Sequence, residues 1–450
     1  MLGSDRTQHP EPVTTALDVF HHELSSLREG AVADYIPELA KADPDRFGLA
    51  LVSMDGHLYA AGDADTAFTI QSISKPFVFA LALDDLGEQR VLAKVGVEPS
   101  GEAFNAIRLE PRTGRPPNPM VNAGALLTTS LVRADDTETR FARILSFLSG
   151  LAGRRLEVDE AVYASELSSA NRNRALAYLM RSLGSLEADV EHTIDVYCRQ
   201  CAVSVTAADL AVMAATLGNG GLNPVTGEHV LEEAVAVRAL SVMATCGMYD
   251  FSGEWLMRVG LPAKSGVAGG LIATSPAEFG IGVFSPRLEQ HGNSVRGVAA
   301  IRELAKRFDL HLMHNPGPTA PVVYFTAREP ASDGRRIEVI AAQGDLEFAA
   351  AERLLWSIAK AIDGAPAGAT YLLLDAHRVT RLHHVAERML VTRLGEMAGG
   401  GVSVALVEPD GIDLKLPADA SFSSREQALR WCRSQAQRVA ADSQPQASAS

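Results

Sequence analysis

The spacing of hydrophobic positions changes along this chain, and each change marks an element. Residues 14–29, T-T-A-L-D-V-F-H-H-E-L-S-S-L-R-E, carry apolar side chains at helical intervals. Residues 46–63, R-F-G-L-A-L-V-S-M-D-G-H-L-Y-A-A-G-D, hold two short apolar runs around Asp55-Gly56, which predicts a β-hairpin. A helix is predicted through F-V-F-A-L-A-L-D-D-L at 77–86, and from about 120 to 245 the pattern stays mostly helical. Extended segments return at 261–274 and 278–286, while 293–301 either pairs or begins a helix running to Leu310. Strands at both ends with helices between them predict one antiparallel sheet built from distant segments, an α+β fold.

A break follows at H-N-P-G-P-T-A-P (314–321), where prolines crowd together. Beyond it, strands at 336–344, 370–376 and 402–407 alternate with helices at 346–362 and 383–397. That rhythm predicts a small α/β layer covered by helices. A last helix at 424–439 precedes a polar tail expected to be disordered. The expected boundaries are an N-terminal extension 1–20, a first domain 21–313, a linker 314–327, a second domain 328–436 and a tail 437–450.

Composition narrows the function classes. Hydrophobic residues make up 47% and charged residues 21%, enough apolar material for sizeable cores. The net charge of −14 opposes a phosphate-binding surface, so nucleic acid is not an expected partner. No run of about 18 apolar residues suggests a membrane span, and the polar N-terminus does not read as a signal peptide. A cytoplasmic protein is expected. Four cysteines, Cys198, Cys201, Cys246 and Cys432, are too few for a disulfide framework and are read as plain thiols.

Lysine is scarce: 7 against 34 arginines. Arginine keeps its proton in proteins, whereas a buried lysine can lose it, so a lysine is worth checking for chemistry; Lys75 and Lys264 stand out, while Lys41, Lys306 and Lys415 have nothing around them. Two Ser-x-x-Lys sequences occur. The copy S-I-A-K at 357–360 lies inside a predicted helix and reads as filler. The copy S-I-S-K at 72–75, within T-I-Q-S-I-S-K-P-F, sits where the hairpin region gives way to a helix. A helix start offers free N–H groups to a developing oxyanion, and one turn brings Ser72 and Lys75 to one face. A neutral Lys75 could take the Ser72 proton if burial or a second cation lowers its pKa. The candidate second cation is Lys264, in Lys264-Ser265-Gly266. Pro76 implies that the helix has barely begun at Ser72.

Ser-x-x-Lys followed by Lys-x-Gly resembles the active-site serine penicillin-recognising enzymes. Their intervening Ser- or Tyr-x-Asn is missing; the nearest equivalent is Tyr197-Cys198-Arg199. A closer resemblance is to the β-lactamase-like bacterial glutaminases. It rests on G-A-V-A-D-Y-I-P-E-L-A (30–40), Q-S-I-S-K (71–75), N-P-M-V-N-A-G-A (118–125) and S-E-L-S-S-A-N-R-N-R-A-L-A (165–177). Y-C-R-Q-C-A-V (197–203), N-G-G-L-N-P-V-T-G (219–227), T-C-G-M-Y-D-F-S-G (245–253) and P-A-K-S-G-V-A-G-G (262–270) extend it. The resemblance implies a β-lactamase-like antiparallel sheet with a helical subdomain, Ser72 as nucleophile and Lys75 as its base. Tyr35, Asn122, Glu166, Asn173, Tyr197 and Tyr249 would line a pocket for L-glutamine. Val267 would lend a backbone N–H to the oxyanion hole, and Tyr249 or Tyr197 would donate a proton. No metal or cofactor is expected, and a homo-oligomer, a tetramer, is implied.

Residues 328–436, with L-L-L-D-A-H-R-V-T-R-L-H-H-V-A, resemble a STAS domain. His383-His384 stands where that family carries an Asp-Ser pair, so phosphorylation switching is not implied. The expected role is regulation or interaction with a protein or small ligand. Two other readings compete with an L-glutaminase: a related serine acylase for another amide, and a signalling protein that only senses glutamine.

Overall fold

The computed structural model describes residues 12–34, 36–101, 108–313, 321–362, 370–411 and 413–442. The chain divides into two compact units, Met1–His314 and Asn315–Ser450. The first is mixed, with antiparallel sheets among many helices. Its strands are β1 (Gly48–Ser53), β2 (Leu58–Gly62), β3 (Phe68–Thr69), β4 (Glu157–Val158), β5 (Val203–Val205), β6 (Ala263–Ser265), β7 (Gly270–Ser275) and β8 (Phe279–Phe284).

The main sheet runs β2-β1-β8-β7-β6, antiparallel throughout. The hairpin β1–β2 turns through Asp55-Gly56, where Gly56 adopts a φ of 84° that suits a residue without Cβ. Strand side chains alternate between faces. Leu49, Leu51, Ile281 and Val283 pack with Leu17, Phe20, Ile301 and Leu304 from the helices Pro12–Leu24 and Val295–Arg307. Ala50 and Val52 pack on the opposite face with Ala207, Ala211 and Ala215 of the helix Ala207–Gly218. That helix approaches the sheet closely. A Cβ at Gly282 would stand 2.0 Å from the Ala207 carbonyl oxygen, and one at Gly280 2.2 Å from that of Ala211.

The helical part surrounds Ser74–Leu86, whose residues Ser74 to Leu83 are all buried. A helix apolar on every side belongs at the centre of a bundle. The short sheet β3-β5-β4 ties this bundle to the segment entering that helix, with Ile70 N–H donating to the Val203 carbonyl at 2.8 Å.

The second unit holds β9 (Val323–Pro330), β10 (Arg336–Leu346), β11 (Thr370–Leu382), β12 (Ser403–Val407) and β13 (Ala420–Phe422), in the order β13-β12-β11-β10-β9. β10 to β13 pair in parallel and β9 is antiparallel to β10. Phe348–Ile362 and His384–Gly399 cover one face through Leu354, Ile358, Leu390 and Leu394. Arg425–Asp442 covers the other through Ala428, Cys432 and Ala436.

Four boundaries differ from expectation. Residues 12–20 are not an extension, because Leu17 and Phe20 are buried in the first unit's core. The same helix ends at Leu24, not at residue 29. β9 starts at Val323, inside the stretch expected to be linker, where it gains sheet hydrogen bonds from β10. The last helix continues to Asp442, past the expected start of the tail, and 443–450 lie outside the described residues. Among the described residues no helix is long and apolar enough to cross a membrane.

Candidate active site

The local sequence bends the chain sharply at Gln71. Its φ of 50° places a non-glycine residue in the left-handed region, a strained conformation that clusters at functional sites. Gln71–Ile73 then form a single 3-10 turn, and the α-helix begins at Ser74. Ser72 therefore sits two residues before the helix proper, as Pro76 in the first turn implies.

Lys75 is completely buried, and its Nζ donates to Asn122 Oδ1 at 2.7 Å. Asn122 Nδ2 in turn donates to Asn173 Oδ1 at 3.1 Å. Asn118 prepares this contact: its Oδ1 accepts from the Met120 and Val121 amides and turns the chain into the helix Asn122–Leu131. Burial pushes Lys75 down to about 8, against the opposing pull of Cys201 and Glu166. An amine there is partly neutral near physiological pH.

Lys264, on β6, is also fully buried; its Nζ donates to its neighbour's Ser265 carbonyl at 2.7 Å. Its Nζ stands 3.9 Å from the Tyr249 ring centroid, and Lys75 Nζ stands 5.7 Å from it. Burial first, then the charge of Lys75, hold Lys264 well below the usual lysine range. Of the two causes left open in the sequence, burial or a second cation, burial is the one that lowers Lys75, and Lys264 has no carboxylate among the causes of its own shift.

Above Ser72 lies a cavity of about 410 Å³, lined by Gln71, Ser72, Asn122, Glu166, Ser169, Ala170, Arg172, Asn173, Tyr197, Cys201 and Val267. Six of the residues singled out in the sequence, Ser72, Asn122, Glu166, Asn173, Tyr197 and Val267, meet there. Val267 belongs to the turn between β6 and β7, closed by Gly269 N–H to the Gly266 carbonyl at 2.9 Å. Glu166 has a buried Oε1 with no hydrogen-bond partner among the described residues. Burial raises its carboxyl to about 7, opposed by a hydrogen bond from Gln71 and by Lys75.

Tyr249 is not in the cavity lining; it lies beside the nucleophile. Its φ is 57°, and its hydroxyl is a hydrogen-bond partner of Ser72, while burial raises its pKa. The Tyr197 hydroxyl is raised by burial and by Cys201, its hydrogen-bond partner. Tyr35 lies outside the described residues. Sequence reasoning missed Cys201, set aside as a plain thiol. Its signal was the four-residue spacing from Tyr197 on one helix face, Val190–Cys201. All four cysteines are buried free thiols. The other Ser-x-x-Lys is helix filler: Ser357 Oγ donates to the Arg353 carbonyl at 2.9 Å, and Lys360 is exposed.

Comparison with known proteins gives the family. A family model for glutaminase matches residues 30–313. Glutaminase 2 of Bradyrhizobium diazoefficiens is 46% identical over 414 residues; that alignment spans 88% of this chain and 65% of that one, so this chain matches under two thirds of that relative's length. The glutaminase of Corynebacterium glutamicum is 44% identical over 401 residues, 88% of this chain and 94% of that one. A crystal structure of Mglu superposes with a TM-score of 0.82 at 44% identity, over 90% of this chain and all of that one. Mglu has also been solved in its glutamate form, with a TM-score of 0.80 at 41% identity over 90% of this chain and all of that one. With the family model covering residues 30–313, and so every residue that lines the Ser72 cavity, the chain belongs to the glutaminase family.

Proposed function

We propose that this chain hydrolyses L-glutamine to L-glutamate and ammonia through an ester on Ser72. Lys75 takes the hydroxyl proton as Ser72 Oγ attacks the side-chain carboxamide. The backbone N–H groups of Ser72 and Val267 hold the oxyanion. Protonation of the leaving nitrogen releases ammonia, and water then hydrolyses the glutamyl ester, returning Ser72. Tyr249 is favoured as proton donor because its hydroxyl partners Ser72, whereas that of Tyr197 partners Cys201. Glu166 receives the α-ammonium, and Asn122, Asn173 and Tyr197 complete the pocket with Tyr35.

The observation that carries this reading is the placement of Ser72 and the orphan Glu166 Oε1 on one cavity, with a fully buried Lys75 hydrogen-bonded to Asn122 of its lining. The glutamate form of Mglu supports the product. Rapid quenching during turnover, followed by peptide mass spectrometry, should find a glutamyl addition on the peptide containing Ser72. An addition on another residue, or a reaction with no addition under conditions that slow hydrolysis of the ester, contradicts it.

We further infer that residues 321–442 form a STAS-like module with a regulatory or interaction role. The support is a mixed sheet with helices on both faces. His383 precedes the helix His384–Gly399 as its N-cap residue, and among the described residues no His, Cys, Asp and Glu cluster could hold a metal. A cytoplasmic homotetramer completes the proposal.

A further inference from the structure

The centre of the helical bundle contains polar groups that the reaction scheme does not use. Ser74, Gln200 and Thr129 are each fully buried, on three different helices. Thr129 Oγ1 donates to Gln200 Oε1 at 2.9 Å, and Gln200 Nε2 donates to Ser74 Oγ at 2.9 Å. Ser74 Oγ then donates to the Gln71 carbonyl at 2.8 Å, and the Ser74 backbone N–H donates to that same oxygen.

The Gln71 carbonyl and the Ser72 N–H belong to one planar trans peptide, so they point in opposite directions. A clamp on that carbonyl therefore fixes where the N–H aims. It is needed here because Gln71 is held in the left-handed region without being glycine, and a residue in that state persists only where its surroundings over-determine it. Successive hydrogen bonds also polarise one another, which makes the Ser72 N–H a stronger donor. Apolar side chains would fill these helix positions with no polar groups to satisfy.

We propose that Ser74, Gln200 and Thr129 are positioning residues that fix the Gln71–Ser72 peptide and aim the Ser72 N–H at the oxyanion. The inference rests on Ser72 being the nucleophile. It predicts an effect on the transition state without one on ground-state binding.

The test measures kcat and KM for L-glutamine, Kd for L-glutamate and melting temperature in Ser74→Ala and Thr129→Val, beside Ser72→Ala. Loss of an oxyanion donor costs about 10²–10³ in kcat, and a misaimed one should cost roughly tenfold to a hundredfold. That loss is expected in Ser74→Ala, with a smaller one in Thr129→Val and with KM and Kd near the parental values. Thr129→Val keeps side-chain shape and decides the matter if Ser74→Ala does not fold. Parental kcat in the folded variants, or a loss confined to KM, overturns the proposal. So does failure of both to fold, since the polar chain then serves stability alone. Turnover persisting in Ser72→Ala removes the nucleophile reading instead, whatever Ser74 does.

Discussion

Burial moves two ionisable groups of the site in opposite directions, Glu166 up to about 7 and Lys75 down to about 8. The signs give a pH signature. Glu166 becomes a carboxylate as pH rises through about 7, so KM for glutamine should fall across that range. Lys75 becomes a free base as pH rises through about 8, so kcat/KM should climb there. Glu166→Gln should remove the KM limb and raise KM about tenfold to a hundredfold, the worth of one hydrogen bond to a charged group. Steady-state kinetics from pH 6 to 9 check both limbs. The tyrosines separate in the same assay. Tyr249→Phe keeps the ring against Lys264 and should lower kcat by about 10²–10⁴ as a proton donor is lost, whereas Tyr197→Phe should act mainly on KM. Ser72 and Lys75 were legible from spacing beside a helix start. The partnership of Tyr249 with Ser72 was not, because it depends on a left-handed backbone that no local pattern announces.

Parts of the first unit are held closer than side chains normally allow. The helix Ala207–Gly218 lies against β8 through Gly280 and Gly282. Gly282→Ala forces the helix off the sheet and should cost about 1–3 kcal/mol, the range for overpacking a core. Chemical denaturation of that variant beside the parent measures it; an unchanged midpoint would mean the approach is not tight. The main hairpin was legible because Asp-Gly sits between two apolar runs of strand length. The β3-β5-β4 sheet was hidden, since strands of two and three residues are too short to show alternation. β9 carries a readable V-Y-F-T-A-R-E, but the prolines before it pulled the expected linker across its start.

At the scale of the whole chain, every residue lining the Ser72 cavity comes from the first unit. A protease site introduced within 314–320 and cut after folding should therefore leave kcat/KM for glutamine at the uncut value. A loss on cleavage would give the second unit a direct part in catalysis. The two-unit organisation was legible in the switch of rhythm after residue 313, while the exact joints were not, because helix ends and strand starts are set by packing that the sequence does not display. Ser72 is the proposed nucleophile of glutamine hydrolysis. Ammonia release from L-glutamine by purified protein beside Ser72→Ala, with L-asparagine as second substrate, tests it most directly. Release from glutamine should be present in the parent and vanish in the folded variant. Turnover that survives without Ser72, or glutamine that binds but releases no ammonia, would contradict it.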